Sequence, residues 1–467
     1  MLTAQPGRLA LYPDNLYINV QQLLSIAISV FLSWVPVVIS RLHSLEGLYM
    51  RLSMKWIPIF VLAALAALSA AAATPEKNSI PPITQSSFGF QCGTGKLTNC
   101  PNETWPTTIA QPGMIRLWDS QVQWHLLNPS AGVYNWKILD GYLDAIAAHQ
   151  PRSAMYTFGY TPCWATKGKC ERDWGSPFPP DDLTPSGSPS FDTFVIALLG
   201  HCSAGGHCVK DTIKYWELWN EANAPTYWSG TVPQLYQLMA PAVALVRSKV
   251  AGAFILTPSA SRGDTDWMRD WLNQENKNGR LSDIFSFHLY LQNNLPEPRF
   301  GTAKQMIDLK NSTSGWSDTP WMNSETNFDA RTFACNSRYT SDDCIGQMVR
   351  WHLIHYSFGA QHLSWFFFNT TIGRNPDYST AYHTMMDWLV GGHFTAACSP
   401  SGNVITCPFI QANGHRAIFA WTFDGDSQYT PNPQYVDYRT LTGGTTTLSP
   451  GKSVNVGVKP IMLEAAN

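Results

Sequence analysis

The chain has 467 residues, a formal net charge of −2 at pH 7 and only 14% charged residues. No run of lysine or arginine occurs, so the electrostatic footprint of a nucleic-acid-binding protein is absent. The length allows one large domain with an appendage, or a few ordinary domains, and a sizeable core. Aromatic residues make up 13% of the chain, with 19 Trp, which suits a groove that stacks flat, partly apolar ligands.

The amino-terminal region carries two apolar stretches that differ in character. Residues 50–73 combine a basic start, an apolar run and a small-residue end, which is the pattern of a secretory signal peptide. We therefore expect Met50 or Met54 to be the true start and residues 1–49 to be a doubtful upstream extension. Within that extension, residues 21–40 include a marginal membrane span. The alternative to secretion is a protein anchored in the membrane through this span.

The ten cysteines fall into five local couples, and none forms a C-x-x-C motif. An even count in close couples predicts disulfides that staple loops in an oxidising compartment, rather than a zinc site. The couples are Cys92 with Cys100, Cys163 with Cys170, Cys202 with Cys208, Cys335 with Cys344, and Cys398 with Cys407. The spacing does not fix their connectivity. Secretion also agrees with N-glycosylation sequons at Asn102, Asn311 and Asn369.

From about residue 85 the sequence alternates short β-branched or aromatic runs with longer helical patterns. The candidate strands are SFGFQ at 87, GMIRLWD at 113, SAMYTFGYT at 153, IKYWELWNE at 213, AFILTPSA at 253, DIFSFHLY at 283, PWMNSETN at 320 and QHLSWFFFN at 361. Helical patterns with apolar residues at three- and four-residue spacing begin at Trp136 and Pro233. Eight such alternations predict an α/β fold, a (β/α)8 TIM barrel over residues 85–395.

Beyond residue 395 the pattern changes to short alternating runs separated by Gly, Asn and Pro. The runs are VITCPFI, HRAIFAWTF, QYVDYRTL, TTTLSP, SVNVGV and KPIMLEA. Short strands at this spacing are typical of antiparallel sheets. We therefore expect residues 396–467 to form a small C-terminal β-sandwich domain.

Two glutamates stand at the ends of candidate barrel strands, where TIM-barrel active sites lie. Glu221 ends the fourth strand and Glu325 ends the seventh, about three βα units of roughly 30 residues further on. Two opposed carboxylates among aromatic residues are the equipment for glycoside hydrolysis. Period-two alternation places Glu217 lower in the barrel, as a structural carboxylate. No G-x-S-x-G, complete P-loop or H-E-x-x-H motif offers a rival chemistry.

Several strand-end motifs together resemble the clan A retaining glycoside hydrolases. They are RLWDSQVQW on the second strand, WELWNEAN on the fourth, SFHLY on the sixth and MNSETN on the seventh. The region from GMIRLWD to TFGYTPCWA is similar to glycoside hydrolase family 39 and its relatives. The resemblance covers about residues 85–465, including the C-terminal β-domain. NEAN replaces the commoner Asn-Glu-Pro, which leaves the subfamily open.

The resemblance implies the chemical roles. Glu221 matches the general acid/base and Glu325 the nucleophile of a double displacement, for which no metal or organic cofactor is required. Asn220 would hydrogen-bond the sugar 2-hydroxyl group. If the roles are right, the two carboxyl groups should lie about 5 to 5.5 Å apart, whereas about 8 Å would indicate inversion.

The resemblance also implies four supporting residues. Tyr290 matches the residue that orients the nucleophile, and His288 lines the site. Arg116 and Trp365 match positions on the nucleophile side and at the floor of the central subsite. For Arg116 a buried ion-pair scaffold is an alternative, for Trp365 a role in the wall alone, and for His288 a position at the barrel mouth without substrate contact.

Together these features predict a secreted retaining glycosidase that acts on a polysaccharide or oligosaccharide. A transglycosylase on the same site, or a non-catalytic carbohydrate-binding protein of the cell wall, are the alternatives. The sequence leaves open the sugar, the linkage, exo or endo attack and the oligomeric state. Xylan-type, arabinan-type and glucan-type chains all fit the pattern.

Overall fold

The computed structural model describes most of the chain from residue 80 onward, namely residues 80–91, 111–149, 153–170 and 175–466. All described residues belong to one compact unit, residues 78–467. Several predicted features lie outside the described residues: the signal peptide, the apolar stretch before it, Cys92, Cys100 and Asn102. None of the helices within the described ranges is both long and apolar enough to cross a membrane.

Nine parallel strands occur in one sheet among the described residues. They are β1 (Phe88–Gln91), β2 (Met114–Leu117), β3 (Ser153–Thr157), β4 (Tyr215–Glu217), β5 (Phe254–Leu256), β6 (Ala260–Ser261), β7 (Phe285–His288), β8 (Trp321–Thr326) and β9 (Ala360–Phe366). Their spatial order is β5-β4-β3-β2-β1-β9-β8-β7-β6. Each of the eight predicted barrel strands is present, which confirms the α/β barrel.

The fifth predicted strand is split into two segments, β5 and β6, which lie at opposite ends of the strand order. The contacts around the residues between them close the barrel. Pro258 lies between the two segments and has no N–H group to donate to a neighbouring strand. Around it, Leu256 bridges to Ile284 and Ser259 bridges to Asn220. These parallel bridges join the two ends of the sheet.

Helices follow the strands as the alternation predicts. They are α1 (Trp124–Leu127), α2 (Lys137–Ala148), α3 (Pro189–Gly200), α4 (Val209–Thr212), α5 (Val232–Lys249), α6 (Thr265–Asn278), α7 (Pro296–Ser312), α8 (Ser341–Ser357), α9 (Phe368–Thr371) and α10 (Pro376–Leu389). Two of the longest begin at capping boxes that the sequence encodes, Thr231 with Gln234 at α5 and Thr340 with Asp343 at α8. These reciprocal bonds satisfy backbone groups that a helix start leaves unpaired.

The inside of the barrel changes from apolar to polar along the strands. A cluster of five buried apolar residues fills the end where the strands begin: Met114, Met155, Leu256, Ile284 and Met322. Side chains alternate between the two faces of a strand, so the residue two positions after Met114 also points inward. That residue is Arg116, and it begins the polar layer.

Past α10 the described chain is antiparallel, in agreement with the predicted C-terminal sandwich. Its strands are β10 (His393–Phe394), β11 (Ser399–Ser401), β12 (Val404–Ile410), β13 (Arg416–Thr422), β14 (Ser427–Tyr429), β15 (Tyr435–Arg439), β16 (Thr445–Thr447), β17 (Val454–Val456) and β18 (Ile461–Ala465). A seven-stranded sheet has the order β10-β12-β13-β18-β15-β16 with β11 against β12, and β14 pairs with β17. The short strands β10, β11 and β14 were not predicted.

Four disulfides occur among the described residues, each within one of the sequence couples. They join Cys163 to Cys170, Cys202 to Cys208, Cys335 to Cys344, and Cys398 to Cys407. The local pairing is therefore confirmed for these eight cysteines.

Candidate active site

Glu221 and Glu325 meet at the carboxyl-terminal mouth of the barrel. Glu221 follows β4, Glu325 lies near the end of β8, and both line a cavity of about 760 Å³. His288, at the end of β7, lies between them. One oxygen from each glutamate and a ring nitrogen of His288 all lie within 4.8 Å of one another.

Glu325 is held by donors on both of its oxygens. The Tyr290 hydroxyl group donates to Oε1 at 2.5 Å, and Arg116 Nη1 donates to Oε2 at 2.6 Å. The Gln91 amide donates to Oε2 at 3.2 Å. Burial alone would raise the pKa of Glu325, but His288, Arg116 and the hydrogen bonds from Tyr290 and Gln91 outweigh it and lower the pKa. The carboxylate is therefore ionised at neutral pH.

Arg116 connects Glu325 to the layer of side chains beneath it. Its Nε and Nη2 atoms donate to Glu217 Oε2 at 2.9 and 2.5 Å, and Nη2 also donates to Asn220 Oδ1 at 2.8 Å. The remaining nitrogen, Nη1, donates to Gln91 Oε1 at 2.7 Å as well as to Glu325. Arg116 is thus both a contact of Glu325 and a buried ion-pair scaffold.

Glu217 is fully buried and does not line the cavity. Besides Arg116, it accepts hydrogen bonds from hydroxyl groups on four strands or strand ends: Thr157, Ser259, Ser286 and Ser324. Burial would raise the pKa of Glu217, but the Arg116 charge, His288 and these hydroxyl groups lower it to about 2. This matches the structural role that strand alternation predicts.

Glu221 projects from a strained turn. Its backbone φ is 43° and that of Trp219 is 125°, a conformation that non-glycine residues rarely adopt. Asn223 ties the turn to the next strand, since its Oδ1 accepts from Ser261 N at 2.9 Å. Glu221 Oε1 lies 3.1 Å from His288 Nδ1, and the Glu221 side chain is 17% exposed against 9% for Glu325. The turn therefore presents the more accessible carboxyl group to the cavity.

Glu221, His288 and Glu325 also have the composition of a metal-binding trio. The Oε2 atom of Glu325 already accepts a hydrogen bond from the Arg116 cation at 2.6 Å, and Oε1 accepts one from Tyr290. A second cation would have to compete with Arg116 at this carboxylate. The donor set fits proton transfer better than metal binding.

Aromatic side chains form much of the cavity wall. Trp118 and Tyr160 stack with ring centroids 5.5 Å apart, and Tyr227 packs against Tyr160 at 5.7 Å. Trp365, by contrast, is fully buried and is not among the residues that line the cavity. Its indole N–H group donates to Thr371 at 3.1 Å.

The comparisons with known proteins find similarity in structure and not in sequence. No protein-family model and no curated protein sequence matches the chain. A family 39 glycoside hydrolase from Bacteroides cellulosilyticus superposes with a TM-score of 0.60 at 17% identity, covering 83% of each chain. A glucosidase from Croceicoccus marinus gives 0.55 at 13%, covering 84% of this chain and 97% of its own. The catalytic domain of family 30 xylanase C from Talaromyces cellulolyticus gives 0.52 at 10%, covering 83% and 98%.

The chain has the fold of the clan A glycoside hydrolases. Within this clan A fold, six of the seven predicted site residues, Arg116, Asn220, Glu221, His288, Tyr290 and Glu325, form one connected group at the strand ends. Trp365 lies outside that group, behind the cavity wall.

Two polar residues of the site were not predicted from the sequence. Gln91 contacts both Arg116 and Glu325, and Asp119 lines the cavity. Gln91 is the last residue of the first predicted strand, so the strand-end rule used for the glutamates could have found it. Asp119 is the last residue of the second predicted strand, GMIRLWD, so the same rule could have found it.

Proposed function

We propose that the protein is a retaining glycoside hydrolase that cleaves O-glycosidic bonds of a polysaccharide or oligosaccharide by double displacement. The observation that carries the proposal is the approach of Glu221 and Glu325, with an oxygen of each within 4.8 Å across the cavity. Retaining enzymes hold their two carboxyl groups about 5 to 5.5 Å apart, whereas inverting enzymes need about 6.5 to 9.5 Å to admit a water molecule.

In the first step Glu325 attacks the anomeric carbon of the sugar. The glycosidic C–O bond breaks, Glu221 donates its proton to the leaving oxygen, and a covalent bond forms between the sugar and Glu325. The hydrogen bonds from Tyr290 and Arg116 orient the attacking carboxylate. The lowered pKa of Glu325 keeps it ionised for this attack.

In the second step Glu221 acts as a base. It takes a proton from a water molecule, whose oxygen attacks the anomeric carbon and releases Glu325. Two displacements at one carbon restore its original configuration. The greater exposure of Glu221 supports this assignment, because the residue that exchanges protons with water must be reachable from the cavity.

Substitution of each glutamate tests the roles. Glu325→Gln should lower kcat on every substrate, on the order of 10⁴-fold or more. Glu221→Gln should lose comparable activity on natural glycosides, yet retain much more on 2,4-dinitrophenyl glycosides, whose leaving group needs little acid help. Initial rates on a panel of neutral glycosides with both kinds of leaving group provide the measurement.

The product identifies the reaction class. NMR of the first-formed sugar should show the same anomer as the substrate, and a 2-deoxy-2-fluoro glycoside should label Glu325 covalently. An inverted product, or equal losses for the two variants on the activated glycoside, would contradict the mechanism. Transfer to an added sugar acceptor in preference to water would indicate a transglycosylase, and binding without any product would indicate a carbohydrate-binding protein.

We also propose that the enzyme is secreted and glycosylated. The four disulfides support folding in an oxidising compartment. Of the sequons in the described residues, Asn311 is exposed near the end of α7 and Asn369 is partly buried in α9. Amino-terminal sequencing of the secreted protein and peptide mass spectrometry before and after glycosidase treatment should find cleavage near residue 73 and a glycan at Asn311.

A further inference from the structure

The segment after β2 forms a polar wall of the cavity that the mechanism does not use. Its polar cavity-lining residues include Asp119, Gln121, Gln123 and His125, and we call residues 118–125, which end in the first two residues of α1, the strand-2 loop. The loop continues directly from the strand that carries Arg116. Because Arg116 contacts Glu325, this wall adjoins the nucleophile.

Asp119 is a third carboxyl group in the same cavity. It is partly buried and has a left-handed φ of 55°. Within the described ranges no residue donates a hydrogen bond to it, in contrast to Glu217 and Glu325, which each have several donors. A carboxyl group that lies beside Glu221 and Glu325 and has no hydrogen-bond donor among the described residues is available to a ligand.

Two further polar atoms of the loop are buried without a partner in the described part of the chain. They are Gln123 Oε1 and His125 Nδ1, and the Gln123 side chain belongs to a residue that is only 4% exposed. Both residues line the cavity. Since buried polar atoms are almost always hydrogen-bonded in folded proteins, these atoms point to a polar ligand.

We propose that Asp119, Gln123 and His125 form the specificity wall of the glycone subsite and select a neutral sugar by hydrogen bonds to its hydroxyl groups. The glycone is the sugar whose anomeric carbon reacts with Glu325, so its hydroxyl groups face the wall next to that residue. Asp119 is the central residue of this wall. The inference rests on the proposed glycosidase function.

The charge state of the wall fits a neutral ligand. Burial, together with the nearby charges of Glu325 and Glu221, raises the pKa of Asp119 to about 8, although Arg116 opposes the shift. Burial lowers the pKa of His125 to about 4. Tyr156, Tyr160 and Tyr227 also contact the loop among the described residues, and all three are phenols. Between about pH 4 and pH 8 the wall therefore presents uncharged donors and acceptors, which match hydroxyl groups.

Among the described residues, this wall offers no free cationic partner to a carboxylate-bearing sugar. Arg116 is already engaged with Glu217 and Glu325. Arg262 also lines the cavity, but it follows Ser261, whose backbone is bonded to Asn223 in the turn that carries Glu221. It therefore belongs to the leaving-group side, so we expect a neutral glycone whatever the leaving group carries.

The test pairs variants with substrate analogues. Asp119→Gly removes the carboxyl group without backbone strain, because glycine tolerates a positive φ, and Asp119→Asn keeps a donor and an acceptor. The substrates are the neutral 2,4-dinitrophenyl glycoside that the wild type hydrolyses fastest and its mono-deoxy derivatives. We expect one deoxy position to lower the wild-type kcat/KM roughly 10- to 100-fold. On the parent glycoside, Asp119→Gly should have a kcat/KM lower than that of the wild type by a similar factor. On that deoxy glycoside, Asp119→Gly should have nearly the same kcat/KM as the wild type. The loss of kcat/KM on the parent glycoside should be smaller for Asp119→Asn than for Asp119→Gly.

A pH profile separates this role from a structural one. With the activated glycoside, whose departure does not need Glu221, the wild-type kcat/KM should fall as pH rises through about 8 and Asp119 loses its proton. Asp119→Asn should not show this fall in kcat/KM at high pH, which we call the alkaline limb. Asp266→Asn, which removes an equal charge from the exposed first turn of α6, should keep it.

Three results would overturn the inference. They are an equal loss for Asp119→Gly on the parent and on every deoxy glycoside, an unchanged limb in Asp119→Asn, and faster wild-type hydrolysis of the corresponding uronate glycoside than of the neutral one. Failure of the proposed function looks different, because the wild type would then release no sugar and Glu325 would not be labelled. Unchanged circular dichroism and thermal unfolding of Asp119→Gly establish that the variant is folded.

Discussion

At the scale of single residues, one guanidinium organises the site. Arg116 donates to both Glu217 and Glu325, so a buried structural carboxylate and the proposed nucleophile share a single counter-ion. Removal of Glu217 would leave Arg116 buried with one carboxylate in place of two. Breaking a buried ion pair by removing one partner costs about 3 to 5 kcal/mol.

We therefore predict that Glu217→Gln destabilises the fold and flattens its acid dependence. The pKa of Glu217 is about 2 in the folded protein, below its ordinary value of 4.5. Its contribution to the free energy of unfolding is thus complete above about pH 4.5 and is lost as pH falls toward 2. Urea unfolding at pH 7 should show a loss of about 3 to 5 kcal/mol, and the wild-type decline between pH 5 and 2 should be shallower in the variant. Parallel pH profiles for the two proteins would contradict this.

The contribution of Asp119 to the free energy of unfolding should depend on pH with the opposite sign. Its pKa is raised to about 8 from an ordinary 3.8, so between these values the folded state binds a proton that the unfolded state has released. The free energy of unfolding therefore falls as pH rises from about 4 to 8. Asp119→Asn should unfold at a higher temperature than the wild type at pH 8 and at the same temperature below pH 4. A calorimetric scan at each pH provides the measurement, and equal unfolding temperatures at pH 8 would refute the prediction.

At the scale of secondary-structure elements, hydrophobic patterning predicted most of the fold. The eight barrel strands were predictable because each is a β-branched or aromatic run followed by a helical pattern. The split of the fifth strand follows from Pro258, which removes a backbone donor. Strands β10, β11 and β14 were not predicted because their sequences, HF, SPS and SQY, contain no alternating run of apolar residues.

Contacts that form only in the folded barrel explain why some site residues were predicted and others were not. Glu221 and Glu325 were predictable because each stands at the end of its own strand. The approach of Asp119 to them depends on a left-handed turn after β2, and φ angles in loops depend on tertiary packing as well as on local sequence. The link from Gln91 to Glu325 depends on closure of the barrel, which brings β1 next to β9 and within reach of β8.

The packing between β2 and β3 gives a prediction at this scale. Gly159 follows β3, and a Cβ atom at this position would lie 2.3 Å from Cζ3 of Trp118, which is buried and stacks on Tyr160. Gly159→Ala should therefore displace Trp118 from the cavity wall, cost about 1 to 3 kcal/mol of stability and lower kcat/KM.

A second glycine provides the control. Gly141 lies within α2, and a Cβ atom there meets nothing within 4 Å. Gly141→Ala should stabilise the protein by about 0.5 to 1 kcal/mol through helix propensity and leave activity unchanged. Urea unfolding and initial rates on both variants compare the two sites, and normal activity in Gly159→Ala would show that the wall tolerates movement of Trp118.

At the scale of the whole molecule, the C-terminal sheet is joined to the barrel by buried polar contacts as well as by apolar packing. Arg350 of α8 is fully buried and donates to the Thr422 carbonyl oxygen at the end of β13 at 2.8 Å. Glu297 of α7 lies 3.5 Å from Arg350 and accepts from the Trp421 indole at 2.7 Å. Phe419 and other residues on one face of the sheet belong to the same apolar cluster as the barrel, while the other face has an apolar cluster of its own. The two regions should therefore unfold together.

We predict that Glu297→Gln lowers the stability of both regions at once. The substitution leaves the Arg350 charge buried without its carboxylate, and we expect a loss of about 3 kcal/mol in a single unfolding transition. Arg439→Met removes a more exposed pair with Glu464 in the same sheet, and it should cost at most about 1 kcal/mol. Calorimetry of the two variants tests whether the two regions unfold together, since a separate low-temperature transition in Glu297→Gln would show that the sheet unfolds independently.

A barrel truncated after residue 395 should be insoluble if the two regions unfold together, because the apolar faces of α8 and α10 would be exposed to solvent.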